Sequence, residues 1–178
     1  METALVVPSR ARSAASLFVR SVANDDAFLE ADDSAFYALT DFRREYPITV
    51  DADSSIDEAL GDMNRLNVHA LLVTREGPGG ADPQVVGLIT AYDIERSRSR
   101  RHAAVGDIMT SWNELSLVKY ESLQTLTALD LYEMFQGTGL THLLVVELQG
   151  DDSVLARGLL SRATLAKRLR GARGAGSR

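Results

Sequence analysis

Two short blocks decide how this chain folds: Val68-His69-Ala70-Leu71-Leu72-Val73 and, further on, Gly87-Leu88-Ile89-Thr90. Both return in the same order, as Leu140-Thr141-His142-Leu143-Leu144-Val145 and Gly158-Leu159-Leu160-Ser161. The spacing between copies is nearly the same for both blocks, which points to an internal repeat. Each first block is an apolar run without strict alternation, so it reads as a strand covered on both faces.

Working outward from the first copy, residues 48–50 are β-branched and follow Pro47, so they read as a short strand. Ser55 with Glu58 three residues on forms a capping box. Ile56, Ala59, Leu60, Met63 and Leu66 then recur at helical spacing. Asn67 suits the left-handed conformation that ends a helix. Strands over 68–74 and 85–90 follow, separated by the turn-forming Gly77-Pro78-Gly79-Gly80. Asp93 begins a short helix. The second copy has an opening strand over 115–118 and a helix over 122–136, with Ala128, Leu131, Tyr132 and Phe135 on one face and Gly137 and Gly139 after it. Strands over 140–147 and 154–161 meet at Gly150-Asp151-Asp152, and a helix over 165–169 closes the unit. The order in both is β-α-β-β-α. One such unit buries too little surface to stand well alone. The expected fold class is therefore α/β: two pseudo-symmetric β-α-β-β-α units packed sheet to sheet. The expected boundaries are an N-terminal extension over 1–45, partly disordered, repeats over 46–104 and 105–170, and a disordered basic tail over 171–178.

Composition narrows the function classes. With 178 residues, 45% hydrophobic and 25% charged, the chain has an ordinary globular composition. No apolar run approaches the ~18 residues of a membrane helix. There is no cysteine, and the three histidines, His69, His102 and His142, are far apart. That excludes disulfides and thiolate metal sites and leaves no metal-ligand spacing. The net charge is −6. Twelve acidic and two basic residues lie between Asp25 and Asp62, whereas seven basic residues and no acid lie between Arg157 and Arg178. Arg96, Arg98, Arg100 and Arg101 form a further basic cluster, read either as a phosphate contact or as a solvated linker. No aromatic stacking pattern accompanies the arginines, so nucleic acid is not expected as a partner. Residues 9–23 are rich in Ser, Arg and Ala; they read as an extension, with an organelle transit peptide as the alternative. A cytoplasmic protein with no membrane partner is the expectation.

Gly87-Leu88-Ile89-Thr90-Ala91-Tyr92-Asp93-Ile94 resembles the Gly-h-h-Thr-x-x-Asp-h signature (h, hydrophobic) of cystathionine-β-synthase (CBS) domains. Val105-Gly106-Asp107-Ile108-Met109-Thr110 is similar to the Asp-h-Met-Thr that commonly opens such a repeat. The chain thus looks like a tandem CBS-domain pair, a Bateman module, over about residues 46–170. The resemblance implies a regulatory module, not an enzyme. It also implies a ligand bearing adenosine, such as AMP, ADP, ATP or S-adenosylmethionine, with no required cofactor and an unidentified regulated protein. On this reading Asp93 would accept from both ribose hydroxyls, Thr90 and nearby backbone N–H groups would face a phosphate, and Ile48, Val50 and Ala70 would offer apolar or backbone contacts to the adenine. The plain alternative for Asp93 is a helix cap beside Thr90.

The second repeat has Thr164 where the first has Asp93, so weak binding or none is expected there. Leu72 and Leu144 stand where the family often has proline. These departures favour the competing reading, a structural or interaction module with an empty cleft. His69 and His142 read as ligand contacts or as partly buried, hydrogen-bonded residues, and Trp112 and Tyr132 as base-stacking or packing residues. Apolar helix positions Met63, Leu66, Met134 and Phe135 suggest a further covered face, and with it a two-fold homodimer.

Overall fold

The computed structural model describes residues 5–6 (backbone), 27–77, 79, 83–100, 103–149 and 154–169. The extension over 1–26 apart from 5–6, the centres of both expected hairpin turns, Arg101, His102 and the tail over 171–178 lie outside the described residues. In chain order the strands are β1 (Leu5–Val6), β2 (Thr40–Asp41), β3 (Thr49–Asp51), β4 (Ala70–Arg75), β5 (Gln84–Thr90), β6 (Thr110–Ser111), β7 (Leu117–Lys119), β8 (His142–Leu148) and β9 (Val154–Ser161). The helices are α1 (Ile56–Leu66), α2 (Ala91–Arg96), α3 (Ala128–Thr138) and α4 (Arg162–Arg168). Chain contacts form two units.

The first unit is built on Tyr46–Leu115. Strand β3 runs parallel to β4, with Val50 beside Val73, and β4 runs antiparallel to β5, with Ala70 beside Thr90. The capping box opens α1 as the spacing requires: Glu58 N donates to Ser55 Oγ at 3.2 Å, and Ser55 N donates to Glu58 Oε2 at 3.0 Å. Asn67 ends the helix at φ 54°. Ile56, Ala59 and Met63 of α1 and Ile94 of α2 pack on Val50, Leu71, Val73 and Ile89, giving one helix-covered face of the sheet. Burying side chains of this size contributes about 1.5–3 kcal/mol each. Strand β1 pairs with β5 at Gln84, and β6 pairs with β5 at Gly87 and Leu88.

The second unit repeats the order. Strand β7 runs parallel to β8, with Val118 beside Val145, and β8 neighbours β9. Val73 and Val145, matched in the sequence blocks, thus hold equivalent places against Val50 and Val118. Ala128, Leu131 and Phe135 of α3 and Leu165 of α4 pack on Val118, Leu143, Val145 and Leu160. The mixed α/β architecture of two β-α-β-β-α units is as expected.

Some local expectations need correction. The helix expected over 122–136 starts later. Tyr120–Gln124 is a 3-10 turn, closed by Ser122 O accepting from Thr125 N at 3.2 Å and from Leu126 N at 3.1 Å. Helix α3 begins after Thr127, whose hydroxyl accepts from Asp130 N at 3.1 Å while Asp130 Oδ2 accepts from Thr127 N at 2.9 Å. That reciprocal box is a stronger start signal than a lone Ser122. Gly137 lies within the helix, and Gly139 alone ends it, at φ 69°.

Residues 105–115 belong with the first unit, not with the repeat that follows them. Val105 N donates to Ser54 O at 2.8 Å and Gly106 N to Ala52 O at 2.7 Å. Conversely, residues 27–45 are an integral part of the second unit. Leu29, Ala35 and Ala38 enter its core, Ala35 N donates to Leu126 O at 2.8 Å, and β2 pairs antiparallel with β9. Arg168, itself buried, donates to Ala27 O at 2.9 Å and to Tyr37 O at 2.8 Å.

Candidate functional site

Strand β5 ends at Thr90, and α2 starts at once. Thr90 N donates to Asp93 Oδ2 at 2.9 Å, the Thr90 hydroxyl donates to the same oxygen at 2.6 Å, and Asp93 N donates back to the hydroxyl at 3.2 Å. Ala91 N donates to His69 O at 3.0 Å, which ties the turn to the start of β4. Thr90 is buried and Asp93 half-buried, so the carboxylate stands at the rim of the sheet. The box engages Oδ2 and leaves Oδ1 out of it. The same hydrogen-bond pattern occurs at Ser55–Glu58 and Thr127–Asp130. Capping alone therefore accounts for the geometry. What sets Asp93 apart is its place at the end of β5 beside Ala70.

The five candidate residues fall on two faces. Ala70 faces Thr90 across the β4–β5 ladder, so the side chains of Ala70, Thr90 and Leu72 share one side of the sheet. Thr49 lies beside Leu72 in the parallel pair and joins that side. Val50 points the other way, into the core under α1, and Ile48 packs against the same core. The Ile48 carbonyl already accepts from Leu72 N at 3.0 Å. The structure therefore gathers Ala70, Thr90 and Asp93 and turns the Ile48 and Val50 side chains away. Thr49, missed in the sequence, is the β3 residue on the Thr90 side. The two-residue alternation of a strand fixes this once its register against β4 is known.

The second unit keeps the backbone and loses the carboxylate. Arg162 N donates to Thr141 O at 2.9 Å, the counterpart of the Ala91–His69 bond. Thr164 N donates to Ser161 Oγ at 3.4 Å, and no acid returns to Ser161 N. His142 takes the place of Ala70, with Nδ1 3.1 Å from the Thr141 hydroxyl. His69 is exposed, which corrects its expected partial burial. Trp112 is half-buried, and Tyr132 packs on the second core. Arg96 lies over the exposed Tyr92 ring at 5.6 Å, and Arg98 pairs with Glu95 at 3.6 Å. Met63 and Phe135 are fully buried in their own units, so they do not present the open face the dimer expectation assigned them. Met134 is exposed.

A charged cluster in the second unit escaped the sequence reading. Arg157 of β9, 4% exposed, is hydrogen-bonded to buried Asp41 of β2. Its guanidinium lies over the Tyr120 ring at 4.4 Å, and its Nε is 3.2 Å from Glu147 Oε2. Arg43 reaches that oxygen at 2.9 Å. Burial disfavours the Arg157 charge, but the hydrogen bond and attraction of Asp41, with a smaller contribution from Tyr120, outweigh it and raise the pKa. Among the described residues no helix is long and apolar enough to cross a membrane, and no cluster of acids and histidines is placed to hold a metal ion.

Residues 39–99 match the family model of the CBS domain. Among solved structures, the CBS-domain containing protein of Agrobacterium tumefaciens is similar over 86% of this chain and 98% of its own, at 20% identity and a TM-score of 0.55. The Arabidopsis thaliana protein CBSX2 in complex with AMP matches over 76% of this chain and 94% of its own, at 19% identity and a TM-score of 0.50. The CBS domain of a bacterial CNNM/CorC family Mg2+ transporter in complex with ATP matches over 76% and 86%, at 14% identity and a TM-score of 0.52. No match was found among curated proteins. The chain has the fold of these CBS-domain proteins, and its resemblance to a tandem CBS-domain pair is borne out.

Proposed function

We propose that this chain is a regulatory module, not an enzyme, that binds an adenosine-bearing ligand in its first unit and signals to a partner protein. The repeat over 46–104 together with 105–115 is one half, the later repeat together with 27–45 is the other, and the module works in the cytoplasm as a homodimer. The observation that carries the reading is the Thr90–Asp93 pair at the end of β5, with one carboxylate oxygen outside the box. Ribose hydroxyls are suited to such an acceptor. Ala70 and Thr49 lie on the same side, and Ile48 and Val50 hold β3 beside them through the β4 pairing and the core. The AMP and ATP in two similar structures support an adenine nucleotide as the ligand class.

Thermal unfolding with AMP, ADP, ATP and S-adenosylmethionine tests this. A ligand at 100 times its dissociation constant stabilises the fold by about 2.7 kcal/mol, a rise of roughly 5–10 °C in Tm for a chain of this size. Asp93→Ala lowers the unliganded Tm through the lost cap, so the measure is the ligand-induced shift. That shift should largely vanish in Asp93→Ala and persist in Thr164→Ala. The competing reading, an interaction module with an empty cleft, is favoured by one observation: the Thr90 hydroxyl and Asp93 Oδ2 already satisfy each other. It wins if no adenosine compound at millimolar concentration moves the curve.

A further inference from the structure

Each unit receives a short crossing strand on the strand that carries its Gly-Leu block. Strand β6 crosses β5 with Ser111 beside Gly87 and Thr110 beside Leu88. Strand β2 crosses β9 with Asp41 beside Gly158 and Thr40 beside Leu159. The two junctions are alike in detail. A Cβ on Gly87 would lie 2.5 Å from Thr110 O, and one on Gly158 would lie 2.5 Å from Thr40 O. The preceding residues, Met109 and Leu39, lie over those glycines in the same way. A 3-10 turn leads into each, at Val105–Asp107 and Ala35–Ala38. At the crossing itself, over 39–41, backbone pairing and glycine clearance are therefore alike on β9 and β5.

Charge distinguishes them. Asp41 takes the place of Ser111, and Arg157, just before Gly158, takes the place of Val86, just before Gly87. Both Asp41 and Arg157 are buried and paired. Placed on β5, Asp41 would meet Val86, in a unit whose buried polar residues are Thr49, Thr74 and Thr90, with no buried cation among the described residues. Placed on β9, Ser111 would take Asp41 from the buried Arg157 guanidinium and leave it only Glu147, 3.2 Å from Nε, and the Tyr120 ring. Breaking a buried ion pair is strongly unfavourable, while replacing both members by well-packed apolar residues is often neutral. In some proteins a buried pair of this kind fixes which partner is chosen while adding little stability.

We propose that the Asp41–Arg157 pair is the pairing code that directs the segment over 35–41 to β9 and rejects β5, in its own chain or in a second copy. The natural chain has no cysteine, so engineered disulfides read the pairing cleanly. Thr40→Cys with Leu159→Cys reports the observed pairing. Thr40→Cys with Leu88→Cys reports the wrong one, and Thr110→Cys with Leu88→Cys confirms that position 88 can react. Each pair is refolded from denaturant and oxidised, once with the native charges and once with Asp41→Ser plus Arg157→Val, which copies the first unit. With native charges the 40–159 link should exceed the 40–88 link by at least about tenfold. In the uncharged variant the 40–88 link should rise to a comparable yield, within one chain or between two. The reversed pair, Asp41→Arg with Arg157→Asp, made together with Glu147→Gln so that no second carboxylate faces position 157, should retain the 40–159 preference. A folded uncharged variant that still excludes the 40–88 link overturns the proposal. So does an uncharged variant that fails to fold while the reversed pair folds, since the pair would then act through stability alone.

Discussion

Gly87, Gly158 and Gly61 make the same point about space from opposite sides. An added Cβ meets backbone oxygen at 2.5 Å at the first two and nothing within 4 Å at Gly61 of α1. Gly87→Ala and Gly158→Ala should each cost about 1–3 kcal/mol, because a crossing strand must move. Gly61→Ala should instead stabilise by about 0.5–1 kcal/mol through helix propensity. Urea unfolding of the three variants checks both signs. The residues of the candidate site were legible to the extent that their signal is local. Thr90 and Asp93 stand three apart and form their box within one turn. Ile48 and Val50 turned out to face the core because face depends on register against β4, a relation between distant segments. Arg157 looked like one of many arginines in a basic stretch, because its partner lies 116 residues away.

Among the elements, α3 shows how a cap sets a helix boundary and its pH response. Thr127→Ala should destabilise by about 0.5–2 kcal/mol, read from the denaturant midpoint. The backbone N–H and then the hydroxyl of Thr127 donate to Asp130 and lower its pKa from the usual 3.8. A carboxylate whose pKa is depressed in the folded state stabilises it above the unfolded value and stops doing so as pH falls through the folded one. Stability should therefore drop as pH falls below 3.8, and Asp130→Asn should flatten part of that acid slope. Acid titrations of the Tm for both proteins measure the difference. Helix α1 and strands β4, β5, β8 and β9 were readable because their apolar periodicity is long or their run unbroken. Strand β2 was not, since two residues carry no periodicity. The likeness of Ala38-Leu39-Thr40-Asp41 to Ile108-Met109-Thr110-Ser111 was the signal that would have found it.

At the scale of the whole molecule, each unit is completed by a segment that precedes the other repeat in sequence. Deleting residues 1–45 removes Leu29, Ala35 and Ala38 from the second core and takes Asp41 from Arg157 and the Ala27 and Tyr37 carbonyls from Arg168. Hydrogen exchange on that truncated chain should show α3, α4 and β9 losing protection while α1 and β4 keep theirs. Equal loss everywhere would mean that the units do not fold separately. The same connectivity sets a schedule during synthesis. Asp41 is made 116 residues before Arg157, which at roughly 5–20 residues per second is a delay of about 6–23 s. Through that interval the segment with Leu29, Ala35 and Phe42 has no strand to receive it, whereas α1, β4, β5 and β6 are all made before it ends. The newborn chain thus carries an apolar ribbon in waiting. Such a ribbon is what a holding chaperone recognises, and the yield on expression should therefore respond to translation speed as well as to equilibrium stability.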